Sequence, residues 1–521
     1  MQKHAGMANF SLADVSIWLP GCCFLLAAVP GRSHARAPWK RAILAAWAAL
    51  IFSMVSLVSL DGGVLHLAAD LPGHCMLVLI SFLAVVITRY SESYLRGEQR
   101  QRRFLGALMA TFGFSSAVMI APRLDLLLLA WILSSVALNV LLLYYPGRRA
   151  ARMAAHKKFL VSRTAEALLL AGAVLLYRSY GTLNIAALNH AVLTAPRHRL
   201  PVLGFSLCLS LAVILKSAQL PLHGWLIQVM EAPTPVSALL HAGIVNLGGV
   251  LLLRLHPFLD AEPCTQFLLT ASGVATLVIA GVVMLTRVSI KVRLAWSTCA
   301  QMGFLLAECG AGLYGLALLH LIGHSLYKSY LFLGSGSVVQ AYGEDVSLGE
   351  LPILRRARVW PRVLSLLILA TAFWGGHALL ARTAYAVEPV ALVVLAVGVA
   401  PLLGTGLEEK GLLGSALARI LSLLALYYGL HLCAGTMVPA ETNRSWMVSA
   451  LFALGMALLY SVQIAVRACD ARRISRLRIW VFHGFYLDEI FTRYVLAVWP
   501  IKVGEGSSDS PYGTSTHREY A

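Results

Sequence analysis

The sequence places three ionisable side chains on one face of a single apolar helix. In the predicted helix 313–336, His320, His324 and Lys328 stand four residues apart, and residues at i, i+4 and i+8 share a face of an α-helix. At 1.5 Å per residue they span about 12 Å, so neighbours can be bridged by a water or two. This spacing is typical of a proton relay, because polar packing between membrane helices explains one such group better than three aligned ones.

A second candidate is Lys216, which lies near the end of the apolar predicted helix 201–220. Pro221 lacks an amide hydrogen and leaves the Ser217 carbonyl without its helical partner, and Gly224 weakens the helix further. A break in a membrane helix is tolerated where it is buried in protein or lines a wet cavity. We therefore expect Lys216 to lie beside such a cavity and to exchange protons there.

The segment after that break supplies an acid and a histidine. Glu231 precedes Pro233 and Pro235, which lack amide hydrogens and interrupt the helix again, and His241 follows one helix deeper. Because Lys216 is close in sequence, we interpret Glu231 and His241 as members of the same proton or cation pathway. The alternative for His241 is a hydrogen-bonded core histidine.

Further acids and bases fall in apolar runs. Arg163 and Glu166 are three residues apart, a spacing that favours an ion pair on one helix face, and we include both in the pathway. Glu308 lies near the end of a predicted helix, so we expect it to be exposed at the membrane interface.

The elements that position these residues are membrane helices. Of 521 residues, 59% are hydrophobic and 13% charged, and the mean hydropathy is +0.75, whereas a soluble domain has roughly 25% charged residues. Many apolar runs have the length of about 20 residues that crosses a bilayer. The sequence predicts an all-α polytopic membrane protein of about 14 to 15 transmembrane helices, at 15–30, 42–60, 75–88, 104–121, 124–145, 159–177, 201–220, 234–253, 267–286, 292–308, 313–336, 362–380, 389–405, 411–435 and 446–466.

Charge and composition divide the chain further. The formal net charge of +18 comes from basic residues in alternate short loops, which the positive-inside rule places in the cytoplasm. We expect a bacterial inner-membrane protein with its N-terminus outside and its C-terminus inside. The first apolar run has the reverse charge order of a secretory leader and is predicted to stay as a helix. The predicted regions are N-terminal transmembrane helices 1–103, an antiporter-like core 104–345, C-terminal transmembrane helices 346–479, an interfacial segment 480–503 and a disordered tail 504–521.

Several classes of function are excluded by missing motifs. Nine cysteines lie mostly inside apolar runs, without CxxC or Cys/His metal spacing, so they are predicted to be buried apolar residues. The chain has no P-loop, HExxH or nucleophile elbow, and its GxGxxG at 310–315 follows no strand. We expect no metal or cofactor in this chain, no nucleic-acid partner and no covalent catalysis by the chain alone.

Three segments resemble a known family. Residues 216–225, 232–243 and 320–336 are similar to the antiporter-like subunits, which include chain 5 (subunit L) of proton-pumping NADH-quinone oxidoreductase and the large subunit of multisubunit sodium/proton antiporters. The resemblance implies two inverted repeats, each with one broken helix. It also implies a role for each matching residue: the lysine of the first broken helix (Lys216), its partner on the next helix (His241), the central relay (His320, His324, Lys328) and an Arg-x-x-acid pair (Arg163, Glu166).

Two departures from respiratory chain 5 narrow the resemblance. Where those subunits have Trp-Glu, whose carboxylate pairs with the lysine, this sequence reads Trp131-Ile132. Glu231, Glu166 or a residue of a partner must then balance the lysine charge. The sequence also ends soon after Pro500, which leaves no room for the long lateral helix of chain 5. We therefore expect the chain not to belong to a full respiratory complex.

Both departures, with residues 130–148 and 223–235, resemble the DabB family, the membrane subunits of two-component, energy-coupled inorganic carbon pumps. The resemblance implies a large DabA-like partner that is related to β-type carbonic anhydrases and holds zinc. We expect this chain to translocate protons or sodium ions and so to drive accumulation of carbon dioxide or bicarbonate. The alternatives are a proton-pumping subunit of an NADH-quinone oxidoreductase-like complex or multisubunit Na+/H+ antiporter, and a membrane anchor that only docks a catalytic partner.

Overall fold

The computed structural model describes residues 17–29, 37–58, 70–194, 199–336, 359–380, 445–468 and 475–500, with scattered residues between 392 and 429. This part of the chain is helical and contains no β-strand. Its α-helices are α1 Leu19–Ala28, α2 Ala37–Val58, α3 Leu71–Tyr94, α4 Gln101–Ile120, α5 Leu124–Leu142, α6 Arg149–Tyr180, α7 Ile185–Thr194, α8 Arg199–Lys216, α9 Gly224–Gln228, α10 Thr234–Leu239, α11 Leu247–Arg254, α12 His256–Asp260, α13 Pro263–Val283, α14 Ile290–Gly310, α15 Tyr314–Leu333, α16 Val359–Leu380, α17 Trp446–Ala468, α18 Ser475–Phe482 and α19 Leu487–Val498.

The predicted fold class is confirmed. Among the described residues, nine helical segments are long and apolar enough to cross a membrane: Ala37–Val58, Leu71–Tyr94, Gln101–Ile120, Leu124–Leu142, Arg149–Tyr180, Arg199–Lys216, Thr234–Arg254, Pro263–Thr286 and Trp446–Ala465. The chain is thus an all-α multi-pass membrane protein. The predicted helices 389–405 and 411–435 lie largely outside the described residues, and the predicted tail 504–521 lies wholly outside them. The predicted domain boundaries stay predictions.

Several details differ from the sequence-based expectations. Helix α8 ends at Lys216 rather than at residue 220, and the short helix α7 was not expected. The predicted helix 234–253 is interrupted by a π-helix, Leu240–Ile244. The prediction that the cysteines are buried is wrong for Cys22 and Cys264, which are exposed, because a residue in a membrane helix can face lipid as well as protein.

One buried arginine joins α3, α4 and α11 at one end of the bundle. Arg254 donates from Nε to both carboxylate oxygens of Asp70, at 3.0 and 2.8 Å. Its Nη1 and Nη2 donate to the carbonyls of Val118 and Ala121 at 2.9 and 2.6 Å. These carbonyls end α4, where backbone acceptors lack helical partners. The guanidinium therefore satisfies a helix C-terminus and an acid together.

Helices α13 and α14 pack against each other along their length through facing glycines. A Cβ added at Gly303 would lie 2.6 Å from the Gly273 carbonyl oxygen, and one added at Gly273 would lie 2.4 Å from that of Gly303. Only glycine permits this approach of two backbones. The contact holds α14, which bears Glu308, at a fixed distance from α13.

Replacing Gly303 tests this contact. We expect Gly303→Ala to lower the free energy of unfolding by about 1–3 kcal/mol, because the added methyl group forces the two backbones apart. The measurement is denaturant unfolding of the purified protein in detergent, followed by circular dichroism. Gly323→Ala on α15 is the control, since its added Cβ meets no atom within 4 Å. Equal stability of the two variants would contradict the proposed packing.

Candidate functional site

The break after α8 is built from side chains that satisfy the freed backbone. Helix α8 ends at Lys216, and α9 begins at Gly224. Between them Ala218 has a positive φ of 51°. The Leu220 amide donates to Thr276 Oγ1 at 3.2 Å, and Gln219 Nε2 donates to the Ser217 carbonyl at 2.9 Å. The break therefore lies in protein rather than in lipid, as membrane burial requires.

Three of the four predicted helix-breaking residues, Gly224, Pro233 and Pro235, lie where short helices begin, and Gly224 has a further role. Pro233 is the residue before α10, and Pro235 lies in its first turn. A Cβ at Gly224 would lie 1.4 Å from Asp488 Oδ1. The absence of a side chain at Gly224 thus leaves space for a carboxylate of α19.

Glu166 is the carboxylate that pairs with Lys216. Lys216 Nζ donates to Glu166 Oε1 at 2.9 Å, and Arg163 Nη2 lies 2.7 Å from Glu166 Oε2. Lys216 and Glu166 are nearly buried, with side chains 11% and 5% exposed. The Lys216 ammonium also lies 4.9 Å from the centre of the Trp131 ring, an attractive cation–π arrangement. We call Arg163, Glu166 and Lys216 the break cluster.

This geometry decides among the carboxylates considered from sequence. Glu166 lies one helix turn from Arg163 on α6, so both neighbours neutralise it, and the residue that follows Trp131 is Ile132. Trp131, which matches the tryptophan of the Trp-Glu pair, therefore contacts Lys216, whereas the acid that pairs with this lysine comes from α6. The backbone of Glu231 ends a 3-10 turn, Val229–Glu231, and its side chain lies outside what the structure describes.

Two lysines of α6 extend the polar region, and sequence analysis missed both. Lys158 Nζ is buried and donates to the carbonyl and the hydroxyl of Ser135, at 2.5 and 2.9 Å. It interacts electrostatically with Lys216 and Glu166. Lys157, whose side chain is 0% exposed, pairs with Asp488 Oδ1 at 2.8 Å. Their position in an Arg- and Lys-rich helix start suggested an exposed loop and so gave no signal of burial.

The three relay residues line one side of α15, as predicted, and differ in their partners. Lys328 Nζ is buried and donates to the Leu294 carbonyl at 3.1 Å. Neither ring nitrogen of His324 hydrogen-bonds to a described residue. The His324 ring lies 6.0 Å from that of His320, edge to face. His320 Nδ1 lies 2.7 Å from Glu308 Oε2.

His241 lies with these residues rather than with Lys216. Its ring stacks on Phe332 of α15, with ring centres 4.4 Å apart. It interacts electrostatically with Lys328 and His324. Neither of its ring nitrogens hydrogen-bonds to a described residue, so no hydrogen bond in the described part of the chain supports the alternative of a hydrogen-bonded core histidine. We call Glu308, His320, His324, Lys328 and His241 the relay cluster.

The expectation that Glu308 is exposed at the interface is wrong. Its side chain is 0% exposed and bonded to His320. The proximity of a helix end suggested exposure, but the end of α14 is covered by α13 and α15. Sequence pattern alone does not show which helix ends are covered by neighbours.

Neutral polar residues lie between the two clusters. Ser217, directly after Lys216, has its hydroxyl against Gly248 of α11, where a Cβ would come within 2.6 Å of Oγ. Asn246, two residues before Gly248, donates from Nδ2 to Ser325 Oγ at 2.7 Å. Ser325 directly follows His324 in the sequence. Buried hydroxyl and amide groups therefore lie near Lys216 and near His324, although Ser217 Oγ forms no hydrogen bond with a described residue.

Comparison with known proteins identifies the family. The NADH:quinone oxidoreductase/Mrp antiporter transmembrane family matches residues 121–396. The protein named "Probable inorganic carbon transporter subunit DabB" of Hydrogenovibrio crunogenus is 38% identical over 82% of this chain and 82% of its own length. "Probable inorganic carbon transporter subunit DabB2" of Halothiobacillus neapolitanus is 37% identical over 86% of this chain and 83% of its own length. The chain belongs to the DabB family.

The fold agrees with this membership. A chain of the Mrp complex from Dietzia sp. DQ12-45-1b aligns with 94% of this chain and 62% of its own length, with a TM-score of 0.57 and 20% identity. Within the NADH:quinone oxidoreductase/Mrp antiporter family, this DabB chain thus keeps the antiporter-like architecture. The break cluster and the relay cluster both lie inside the matched residues 121–396.

A double-mutant cycle tests the pairing of Glu166 with Lys216. We expect Glu166→Gln to destabilise the protein by about 3 kcal/mol, because it leaves the buried Lys216 ammonium without its carboxylate, and Lys216→Met to cost less, because Glu166 keeps Arg163 as a partner. The double variant is expected to lose less than the sum. The measurement is denaturant unfolding in detergent.

The control for this cycle is the ion pair of Arg123 and Asp125, whose side chains are 54% and 44% exposed. Asp125→Asn is expected to change stability little, because water screens an exposed pair. Additive losses for Glu166→Gln and Lys216→Met would contradict the pairing.

The contact of α19 with the core gives a further prediction. Asp488 accepts from Lys157 and, at 2.7 Å, from Gln228 Nε2. We expect Asp488→Asn to speed amide hydrogen exchange in α19 by at least about tenfold. The variant leaves the buried Lys157 ammonium without its carboxylate partner, which costs about 1–3 kcal/mol. Glu489→Gln, at an exposed neighbouring position, is the matched control. Unchanged exchange in Asp488→Asn would show that α19 is held by other contacts.

Proposed function

We propose that this chain is the cation-translocating membrane subunit of an energy-coupled inorganic carbon transporter. The observation that carries the proposal is a lysine at the end of a broken helix that pairs with a buried carboxylate, in a bundle that also holds a row of histidines and a lysine on α15. Ionisable groups in the membrane interior are unfavourable in free energy and are retained where they have a function. The names of the DabB relatives support inorganic carbon as the transported species.

In this proposal, ion flow is coupled to carbon transport through a change of charge in the break cluster. When a proton or sodium ion arrives at Glu166, the carboxylate no longer neutralises Lys216. The lysine then gives up a proton or moves toward the next polar group, and Ser217, Asn246 and Ser325 lead to the relay. Each such step alters the field in a low-dielectric interior, where charges interact strongly. The partner responds to that change.

The chemistry of carbon hydration belongs in this proposal to the partner. A large DabA-like subunit, related to carbonic anhydrases, holds the zinc, and this chain supplies ion flow without a cofactor or covalent catalysis of its own. The complex lies in a bacterial inner membrane, with the N-terminus of this chain outside and its C-terminus in the cytoplasm. Inward flow of protons or sodium ions then drives accumulation of carbon dioxide or bicarbonate.

Replacing the two lysines tests ion translocation. We expect Lys216→Ala and Lys328→Ala each to abolish uptake of radiolabelled inorganic carbon in cells, because each removes a group that changes charge on the pathway. Lys40→Ala, at an exposed position of α2, is the matched control. Co-purification with the partner shows that the variants still assemble. Retained uptake in either assembled pathway variant would refute the assignment.

Purification of the native complex tests the partner. A tagged chain is extracted gently from its membrane, and its companions are identified by mass spectrometry and metal analysis. We expect one large zinc-bearing soluble protein. Flavin and iron–sulfur subunits would indicate a respiratory complex, several small hydrophobic subunits would indicate a sodium/proton antiporter, and either result would overturn the carbon-transport proposal.

A further inference from the structure

Glu308 is a buried acid at the end of α14, and the charge transfer proposed above gives this member of the relay cluster no step of its own. Its Oε2 accepts a hydrogen bond from His320 Nδ1 at 2.7 Å. Its other oxygen, Oε1, is buried and has no hydrogen-bond partner among the described residues. One carboxylate oxygen is thus bonded to His320 of the relay, and the other forms no hydrogen bond with a described residue.

The surroundings of Glu308 explain why a charge there is costly. Helices α13, α15 and α17 lie around this part of the bundle, with Phe304 packed against both His320 and Phe452. Among described residues, His320 is the basic group that faces Glu308, and Cys309 on its own helix is the other titratable group that interacts with it. Burial disfavours the ionised form of such a carboxylate, whereas a hydrogen bond from the histidine favours it, most strongly when the histidine is protonated.

The contacts between α14 and α15 show how far Glu308 extends the relay. Lys328 bonds to the carbonyl of Leu294 near the start of α14, and His320 bonds to Glu308 near its end. Fourteen residues separate these two positions, about 21 Å along the helix axis. This is about two thirds of the thickness of a bilayer's hydrocarbon core. Arg287, Lys291 and Arg293 flank the start of α14, so Glu308 lies at the end remote from this basic loop.

More titratable groups lie at the same end of the bundle. Tyr314, the first residue of α15, donates to Asp260 Oδ1 at 2.7 Å. Asp260 also bonds to His256, and its side chain is 15% exposed. Polar groups therefore continue from the α14–α15 turn toward the surface.

We propose that Glu308 is the terminal proton-binding group of the relay, exchanging protons between His320 and the membrane face remote from the basic loop. In the forward step the Nδ1 proton of the His320 imidazolium passes to Glu308 Oε2, which leaves a neutral imidazole and a neutral carboxylic acid. The carboxyl group then loses its proton toward that membrane face and returns to a carboxylate. The reverse sequence loads His320 from the same side.

The proposal rests on the proposed function for its direction, but the protonation of Glu308 can be measured separately. Glu308→Gln keeps an oxygen that can accept from His320 and so preserves a structural hydrogen bond, but it cannot bind the proton. Glu308→Asp restores the carboxyl group on a shorter side chain. Glu262→Gln is the matched control, because Glu262 is also nearly buried and precedes α13 at the same end of the bundle.

The experiment combines pH-difference infrared spectra of the purified complex with inorganic carbon uptake in cells. We expect the carboxylic acid C=O band of a titrating buried group to be present in the parent protein and in Glu262→Gln, and absent in Glu308→Gln. We expect Glu308→Gln to lower uptake by at least about tenfold with an unchanged unfolding temperature. Glu308→Asp should recover part of the uptake.

The outcomes separate this inference from the proposed function. An unchanged infrared band in Glu308→Gln, or normal uptake by that variant, overturns the role of Glu308. A loss of uptake with the band unchanged also overturns it, since the defect is then structural. If Lys216→Ala, measured in parallel, keeps full uptake, the proposed function fails, whereas the infrared result for Glu308 stands or falls by itself.

Discussion

A charge inside a membrane protein has to be neutralised by other protein groups, and Glu166 is where this chain meets that requirement. It binds Arg163 on its own helix and Lys216 across the bundle, with both oxygens engaged. The broken helix ends at Lys216, so the lysine lies where backbone groups and the Trp131 ring also surround it. Removing one partner of such a pair is more damaging than removing both. This carboxylate therefore links α6 to the end of α8.

The relay cluster is organised differently. Lys328 bonds to a backbone carbonyl, and His324 and His241 form no hydrogen bond with a described residue. These basic groups lie in a row, and the carboxylate bonded within the cluster is Glu308 at the far end of α14. Partly satisfied polar groups in a low-dielectric interior respond strongly to any change of charge nearby. A fully paired network would hold its protons too firmly to pass them on.

Residue spacing was sufficient to predict the all-α membrane fold, the aligned face of α15 and the break near Lys216. These features depend on local periodicity and on proline chemistry, which a single sequence records. The choice of Glu166 over other acids, the burial of Lys158 and the bond from Glu308 to His320 depend on which helix faces meet. Apolar runs do not encode those contacts, and a basic stretch at the start of α6 looks the same whether it is exposed or covered.

In the proposed mechanism, charge crosses the membrane through this chain when inorganic carbon is transported. The most direct measurement is the transient current of the reconstituted complex on a solid-supported membrane after a rapid jump in bicarbonate concentration. We expect a current in the parent complex that disappears when Glu166 and Lys216 are both replaced. Carbon uptake by the same proteoliposomes without any accompanying charge movement would contradict this mechanism.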